Sequence, residues 1–594
     1  MRESLLNGTI VESGLHYSRE SYEALREIHK DKDYLWAWKN DKALSEIVLL
    51  SGDKPLNDIH ICTSDFVKGT ECIPSTCIKT FFVKEVKGFI GHAGWYAYNK
   101  AGIMPTGPRE MFPDVLWEDT VCSMPALSIQ SIWIEIQVPE DVSAGIYEGR
   151  VEVHCEENKL SFDYQLEVLE AVLPTPEHYL FDVEYWQHPY NLAEYYQLEP
   201  FSKAHLEKLK EHMQCYQALG GQTITASIVE EAWGGQTYSQ NPIHYPSMIK
   251  WIRKKDGTFS FDYTHFDKWV ALNLELGLLQ QVVCYSMMPW ESKILYKDEI
   301  SGEQKVLIAD VGDPKNYQAV WRPFLKDFVK HIEAKGWFEY VCIGFDERHQ
   351  MEVALDLVDE VKNSKGKSMK KVAAFNDFVG NKKVLDQLSH VSVGLEEIRQ
   401  NVEAFKVEVM NRKKLGRKTT LYTATEHFPN SFVKSIPVES YWTIMYAGSL
   451  GTDGFLRWAF DAWGENPLQD TTHASFQAGD CFLIYPDCRW SVRLAKLDEG
   501  VRDMNKLYVM AKKCPELEGP IKALLNQVKC QYDYDEVETP PTWAVAGRSA
   551  KWAREESKIE MLKDMQKIKE GIYAISKQYS NQEVLSLKIK KNSI

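Results

Sequence analysis

Apolar and polar residues alternate along much of the first third of the chain, in short runs separated by turn residues. Such alternation is typical of β-strands that bury one face and expose the other. Three successive strands are predicted at residues 131–138, 146–155 and 160–169. Their spacing predicts an antiparallel β-sandwich, which we assign to residues 1–172, and the proline-containing stretch 173–178 is the predicted linker that ends it.

After this linker the pattern changes to short apolar runs that alternate with amphipathic helices. The runs lie at residues 180–186, 222–228, 279–286, 340–346, 371–376, 390–395, 419–425 and 454–460. Helices are predicted at 202–220, from 264 onward, at 314–336 and at 396–415. Eight strands alternating with helices predict a (β/α)8 TIM-type barrel, which we place at residues 179–500.

The segments outside these elements complete the predicted fold. Residues 229–263 and 287–313 follow strands and are long enough to shape a substrate cleft, and the first contains a predicted hairpin at Asp256-Gly257. Helical spacing of apolar residues recurs at 494–513 and 551–577. The last part of the chain, residues 501–594, is therefore expected to be a helical C-terminal extension.

Composition limits the classes of molecule that the protein is expected to bind. The formal net charge of −16 argues against nucleic acid or an anionic membrane surface as the main partner. The 18 tryptophans and 29 tyrosines supply core volume and also the flat rings on which proteins hold sugars, and composition alone does not separate these uses. No apolar stretch approaches the length of a membrane span.

The cysteines and histidines give no sign of a metal site. The twelve cysteines are scattered from Cys62 to Cys530 without a C-x-x-C pair, which predicts free thiols in a reducing compartment. The N-terminal residues lack the apolar core of a signal peptide, so a cytoplasmic location is expected. His349 and His427 lack the clustering of metal ligands, and neither a metal nor a cofactor is expected.

An apolar run that ends in two adjacent carboxylates is the main chemical signal. The run Y340-VCIGF-D346-E347 is typical of a buried parallel strand, and its carboxyl end would lie on the catalytic face of the barrel. Adjacent carboxylates repel each other's charge, so one keeps its proton to higher pH, as glycosidic cleavage requires. Neighbouring strand positions point to opposite sides, so both acids serve one ligand only where the backbone turns.

A structural role for the same residues stays open at this point. Glu347 and Arg348 would then form a surface ion pair, and Asp346 would cap the helix that follows. Other strand ends favour the catalytic interpretation because they place polar and aromatic residues on the same predicted face. These residues are Trp186, Tyr285, Trp290, Asn376, Tyr422, His427 and the segment R457-WAFDAWGENPLQD470.

Three segments together resemble glycoside hydrolase family 123, the β-N-acetylgalactosaminidases. They are I343-GFDE347, W458-AFDAWGENP467 and G479-DCFLIYPDCRWSVRL494. The sandwich stretch V138-PEDVSAGIYEGRVEV153 resembles the N-terminal domain of that family, so the likeness covers about residues 130 to 510.

The resemblance implies a retaining mechanism in which the 2-acetamido oxygen of the sugar attacks the anomeric carbon and forms an oxazolinium ion. Glu347 would be the general acid and then the base, and Asp346 would orient the acetamido group and stabilise its charge. No enzyme nucleophile is needed, which explains why the two acids are adjacent. The expected substrate is a glycan or glycolipid with β-linked N-acetylgalactosamine, and no cofactor is implied.

Further substrate-binding residues are expected around this pair. Tyr422 is the candidate donor to the acetamido oxygen, and Trp458 and Trp463 are candidate walls around the sugar. Asp461, Asn376 and His427 are candidates for binding ring hydroxyls, including the axial 4-hydroxyl. Two further residues complete the expected set, Tyr285 and Arg348.

Two alternatives remain at the level of sequence. A conventional retaining glycosidase on the same barrel would use Glu347 as acid/base and Glu426 or Asp461 as nucleophile. A carbohydrate-binding protein would keep the barrel and the aromatic residues without turnover, although both acids are present. The oligomeric state and the choice between chain-end and internal cleavage are not predicted.

Overall fold

The structure is a computed structural model of the chain. It describes residues 6–90, 108–156, 158–237, 245–278, 280–473, 476–538 and 549–592. The predicted multidomain fold is confirmed: a β-rich N-terminal domain precedes an eight-stranded parallel barrel with surrounding helices. Part of the first long loop, residues 238–244, lies outside the described residues.

The N-terminal domain consists of two facing sheets. The five-stranded sheet has the spatial order Leu6–Val11, Lys42–Ser51, Ile129–Gln137, Ile78–Phe89, Arg109–Trp117. The path of the other sheet is Lys32–Lys39, Asn158–Val172, Gly145–Cys155, Leu56–Thr63, Val121–Met124, with the short strands Phe66–Lys68 and Glu71–Ile73 beside it. The pairs are antiparallel except that Lys32–Lys39 runs parallel to Asn158–Val172.

The strand Ile129–Gln137 shows how the alternating pattern is used. Ile132, Ile134 and Ile136 are buried in the core between the two sheets. Trp133 points the other way and packs against Val492 at the start of a long helix of the barrel domain. Both faces of this strand are therefore covered, one by the second sheet and one by the barrel.

The barrel strands, β1 to β8, match the eight predicted apolar runs. They are β1 Asp182–Tyr185, β2 Thr223–Ser227, β3 Gln281–Tyr285, β4 Val341–Asp346, β5 Lys370–Phe375, β6 His390–Gly394, β7 Lys418–Tyr422 and β8 Gly454–Arg457. All neighbouring pairs are parallel, and β8 pairs with β1. A single parallel bridge between Val183 and Gly221 joins β1 to the start of β2 and completes the ring.

Helices follow the strands around the barrel. They are Pro189–Tyr195, Lys203–Ala218, Thr264–Glu275, Pro314–Ala334, Glu352–Glu360, Lys382–Leu385, Leu395–Gln400, Val402–Lys414, Pro437–Ser449 and Val492–Lys513. Ser202 caps the second of these by accepting a hydrogen bond from the His205 N–H. The predicted helix at 396–415 is divided into two at Asn401.

Both long loops contain strands. The predicted hairpin is present as Lys250–Arg253 and Phe259–Asp262, and a second hairpin, Lys293–Asp298 with Gln304–Ile308, was not predicted. The two hairpins join into one four-stranded sheet. Trp251 stacks on Phe324, which packs this sheet onto the helix Pro314–Ala334.

The C-terminal region adds Glu518–Leu525, the strand pair Tyr534–Glu538 and Ser549–Ala553, and the helix Glu555–Asn592. The predicted helix start at Lys551 is wrong, because residues 549–553 pair as a strand. Tyr579 on the last helix stacks on Trp38 of the sandwich. The helix Val492–Lys513 runs across the assigned boundary at residue 500, and the three-part division of the chain stays a prediction.

The expectation that all cysteines are free thiols is wrong. Cys215 and Cys488 form a disulfide, while the other ten are free. Cys215 lies on the helix Lys203–Ala218, and Cys488 lies 273 residues later in the segment that precedes the helix Val492–Lys513. Among the helices that the structure describes, none has a stretch apolar and long enough for a membrane crossing.

Replacing Gly454 with alanine should destabilise the barrel. A Cβ at this position would overlap the backbone carbonyl of Asp182 across the β8–β1 pair, so the two strands would have to separate. We expect a loss of about 3 kcal/mol in the free energy of unfolding, measured by urea denaturation. Gly519→Ala is the matched control, because its Cβ would meet no atom within 4 Å, and no loss is expected there. Equal stability of the two variants would contradict the close approach of β8 to β1.

Candidate active site

The two adjacent carboxylates meet the condition that the sequence imposes on them. Asp346 is the last residue of β4, and Glu347, the next residue, has φ of 49°. This left-handed conformation turns the backbone, and the Glu347 N–H donates to the carbonyl of Ala374 on β5 at 3.0 Å. Because the chain turns here, both side chains line one cavity at the carboxyl ends of the strands.

Glu347 lies in a small hydrogen-bonded group. The Asn376 amide donates to Glu347 Oε1 at 3.1 Å, and the Tyr422 hydroxyl contacts the same oxygen. The Tyr422 hydroxyl also lies 2.6 Å from Asn376 Oδ1. Since this hydroxyl has one proton, it can donate to Glu347 when that carboxylate is ionised, or accept from a protonated Glu347 and donate to Asn376. The group therefore accommodates both protonation states of Glu347.

Gly394 and His427 pack closely behind this group. A Cβ at Gly394, the last residue of β6, would lie 2.5 Å from Asn376 Oδ1 and 3.2 Å from the Tyr422 hydroxyl. His427 is buried beside Tyr422, with a ring-centre distance of 6.1 Å. Its Nδ1 accepts from the Ala424 N–H at 2.9 Å, and burial lowers the pKa of His427 to about 4. His427 thus supports the turn after β7 as a neutral ring.

The surroundings of Asp346 alter its proton affinity. Burial, together with the neighbouring charge of Glu347, raises the pKa of Asp346 to about 7. The Trp290 indole N–H donates to Asp346 Oδ2 at 2.9 Å and acts in the opposite direction, since it favours the ionised form. Arg348 lies over the Trp290 ring, 5.3 Å from its centre. Asp346 therefore keeps its proton to higher pH than an exposed aspartate does.

The cavity brings together the pair, two predicted residues and several that were not predicted. Its lining residues are Trp186, Gln236, Trp290, Asp346, Glu347, Ala374, Tyr422, Thr423, Ala424, Thr425, Leu456, Trp458, Phe476 and Asp480. Asn376 does not line it but contacts Glu347 and Tyr422 directly. The helix-cap role considered for Asp346 is not present, because the next helix begins at Glu352 without a side-chain cap.

Six residues of the expected set do not line this cavity: Asn376, His427 and Arg348, described above, and Asp461, Trp463 and Tyr285. Asp461 is only 1% exposed and accepts from His212 Nε2 at 2.8 Å and from the His188 N–H at 2.7 Å. Trp463 is buried, and its indole donates to the carbonyl of Ile484 at 2.7 Å. Tyr285 is buried behind Trp186, with ring centres 4.5 Å apart. The structure thus places these three side chains behind the cavity lining, and their expected contact with a sugar stays a prediction.

Several lining residues were missed as sites. Trp186 and Trp290 stand at predicted strand ends, so the sequence carried a signal for them. Gln236 lies within the first long loop, and Asp480 follows Gly479 in the segment after β8. Neither position has a periodic pattern from which its direction could be inferred. Within the described residues, no group of three or more histidine, cysteine, aspartate or glutamate side chains is arranged to hold a metal ion.

Comparison with known proteins connects this geometry to a family. The sequence model of the glycoside hydrolase 123 catalytic domain matches residues 186–510, and that of the glycoside hydrolase 123 N-terminal domain matches residues 10–155. No curated protein sequence matches the chain.

Solved structures agree with the family match. A family 123 glycoside hydrolase from Clostridium perfringens, described in a study of glycolipid glycan hydrolysis, has 32% sequence identity and a TM-score of 0.90, and the alignment covers 98% of this chain and 100% of that chain. A β-glucuronidase from Parabacteroides merdae has 9% identity and a TM-score of only 0.28, with 84% and 52% covered, and supports no conclusion. The catalytic-domain match alone spans over half of the chain. The chain therefore belongs to glycoside hydrolase family 123 and is a glycoside hydrolase.

Proposed function

We propose that this enzyme removes β-linked N-acetylgalactosamine from glycans by a retaining, substrate-assisted mechanism. The observation that carries the proposal is the turn at Glu347, which directs two consecutive carboxyl groups into one cavity. A conventional glycosidase needs two carboxyl groups on opposite sides of the glycosidic bond, which adjacent residues do not provide. A general acid and a group that orients the acetamido act instead on neighbouring atoms of one sugar ring, which two consecutive residues can reach.

Asp346 would hold the acetamido group. Its carboxylate accepts the acetamido N–H and stabilises the positive charge that develops as the acetamido oxygen attacks the anomeric carbon. Asp346 holds a proton up to a pH of about 7. When the acetamido N–H donates to Asp346, the ionised form of Asp346 is favoured, and the single proton is transferred to Glu347, where the reaction needs it.

Glu347 would donate this proton to the leaving oxygen and later remove one from the attacking water. The Tyr422 hydroxyl accommodates both steps because it can accept from the protonated acid and donate to the ionised base. Trp458 and Phe476, with ring centres 5.1 Å apart, form an apolar wall suited to the sugar or its acetyl methyl group. Tyr422 thus supports Glu347, and its expected contact with the acetamido oxygen stays a prediction.

The proposed substrate class is the glycan part of glycolipids. It is supported by the similarity to the Clostridium perfringens enzyme, whose study concerns glycolipid glycan hydrolysis. The conventional alternative loses support, because neither Asp461 nor Glu426 is among the residues that line the cavity. Asp461 is instead engaged by two histidines.

The proposal is tested by release of 4-nitrophenol from three aryl β-glycosides: the N-acetylgalactosaminide, the N-acetylglucosaminide and the plain galactoside. Hydrolysis of the first alone is expected, since the reaction needs the acetamido group and the axial 4-hydroxyl. Hydrolysis of the plain galactoside would support an enzyme nucleophile instead. If no 4-nitrophenol were released from the three glycosides and no N-acetylgalactosamine from a glycolipid glycan, the proposed activity would be rejected in favour of sugar binding without turnover.

Replacing Trp290 with phenylalanine should move the alkaline limb of the pH profile. Activity is expected to fall as Asp346 loses its proton, near pH 7, because no proton is then left to pass to Glu347. The Trp290 N–H favours ionised Asp346, so its removal raises the pKa, and the limb should shift upward by about half a pH unit to one unit. The measurement is kcat/KM against pH for both proteins. An unchanged or downward-shifted limb would contradict the assignment of this proton to the pair.

A further inference from the structure

Asp480 lies across the mouth of the barrel from the catalytic pair. Asp346 and Glu347 follow β4, whereas Asp480 belongs to the segment that follows β8. In a closed ring of eight strands, β4 and β8 are opposite each other, four strands apart in either direction. Since all three carboxyl groups line the same cavity, a ligand at the pair has its far edge near Asp480.

The Asp480 carboxylate is held firmly by one of its oxygens. The side chain is only 1% exposed, and Oδ1 accepts from the Arg457 guanidinium and from the Trp458 indole N–H, the latter at 3.3 Å. Arg457 is fully buried and also donates to the Thr423 carbonyl at 3.1 Å and to Asn430 Oδ1 at 3.0 Å. These contacts fix the position of the carboxylate and neutralise its charge in the interior.

Besides Arg457 and Trp458, the Thr425 hydroxyl also lies near the Asp480 carboxylate. Oδ2 is buried and makes no hydrogen bond of good geometry to any described group. Gln236 also lines the cavity, is 9% exposed, and its Nε2 is likewise buried without a hydrogen-bond partner in the described part of the chain. Buried polar groups left unpaired cost about 1–3 kcal/mol each, so an acceptor and a donor on two residues that line one cavity indicate a polar ligand group.

We propose that Asp480, with Gln236, recognises the 4-hydroxyl of the sugar and sets the preference for the galacto configuration. The inference rests on the proposed function, which places the anomeric carbon at Glu347. In a six-membered sugar ring, carbon 4 lies across from carbon 1, and its hydroxyl therefore projects toward the β8 side. That hydroxyl donates to Asp480 Oδ2 and accepts from Gln236 Nε2. Asp480 thus takes the hydroxyl-binding role for which Asp461 is one of three candidates in the sequence.

The test compares the 4-nitrophenyl β-N-acetylgalactosaminide with its 4-deoxy and 6-deoxy analogues, using the full-length wild type and Asp480→Asn. For the wild type, removal of the 4-hydroxyl should lower kcat/KM by about 30- to 100-fold, as expected for a hydrogen bond to a charged group. Asp480→Asn should show a similar loss on the parent substrate but at most about a threefold further loss on the 4-deoxy analogue. The effect of the 6-deoxy change should be the same in both enzymes.

Two outcomes would overturn the inference. If Asp480→Asn lowered kcat/KM equally for the parent and the 4-deoxy substrate, Asp480 would have a structural or covalent role. If its effect depended instead on the 6-hydroxyl, Asp480 would contact that hydroxyl and not the 4-hydroxyl. If Asp480→Asn fails to fold, as judged by thermal melting, Gln236→Leu gives the same comparison, with an expected loss of about 10-fold on the parent and none on the 4-deoxy analogue. Absence of wild-type hydrolysis of the parent would reject the proposed function itself, which the deoxy comparison alone does not.

Discussion

Replacing Glu347 with glutamine is expected to lower kcat/KM for the 4-nitrophenyl β-N-acetylgalactosaminide by about 10³- to 10⁴-fold, the upper part of the range for a lost general acid. Glutamine has the same shape, and its amide can still contact Tyr422 and Asn376, so the fold should be unaffected. With a 2,4-dinitrophenyl leaving group, which needs no protonation, the loss in kcat/KM should shrink to about 10-fold.

This dependence on the leaving group is the decisive feature, because kcat/KM reports the step in which the leaving oxygen departs. Glu140→Gln is a matched control at an exposed position of the sandwich and should retain full activity on both substrates. If kcat/KM fell by the same factor for both leaving groups, Glu347 would not be the proton donor.

Replacing Asp346 with asparagine is expected to lower kcat/KM by about 10³-fold, and equally for both leaving groups. Asp346 acts on the acetamido group and not on the leaving oxygen, so the chemistry of the leaving group should not matter. Loss of the carboxylate removes both the acceptor for the acetamido N–H and the negative charge that stabilises the oxazolinium ion.

Binding of a thiazoline analogue of the oxazolinium ion tests the same role without turnover. Its affinity should fall by a factor close to the loss in kcat/KM, because such an analogue reports interactions made in the transition state. Asp53→Asn, at an exposed turn of the sandwich, is the matched control. Tight binding of the analogue by Asp346→Asn would show that Asp346 does not contact the acetamido group.

The parts of the fold that follow from regular patterns could be predicted from the sequence. Each barrel strand is buried on both faces and therefore appears as a continuous apolar run, and all eight were located. The end of β4 was placed correctly for the same reason, which put Asp346 and Glu347 at the carboxyl edge. The resemblance to family 123 is confirmed by the family matches over both domains.

The wrong and missing predictions concern features that depend on contacts between distant parts of the chain and not on a local sequence pattern. The pairing of Cys215 with Cys488 joins residues far apart in sequence. In the second hairpin, Lys293–Asp298 buries alternate residues, but the apolar residues of its partner Gln304–Ile308 stay mostly exposed, so the pair has no consistent burial pattern. Residues 549–553 form a strand because they pair with Tyr534–Glu538, although apolar residues at helical spacing continue into the next helix.

The choice between Asp461 and Asp480 shows the same limit within the site. Both follow β8, and both lie in segments without regular structure, so no periodicity indicates which side chain faces the cavity. His212, on a helix that follows β1, engages Asp461, while Arg457 positions Asp480 at the cavity. Only the three-dimensional arrangement of these partners separates the two carboxylates.

The central claim is that the substrate's own acetamido oxygen is the nucleophile. It is tested most directly by kcat/KM for aryl β-galactosaminides whose N-acyl group is acetyl, fluoroacetyl, difluoroacetyl or trifluoroacetyl. Fluorine withdraws electron density from the acyl oxygen, so kcat/KM should fall progressively along the series, by roughly 100-fold or more in total, as the stabilising interaction at the anomeric carbon is lost. A rate independent of fluorine content would contradict the account and indicate a nucleophile supplied by the enzyme.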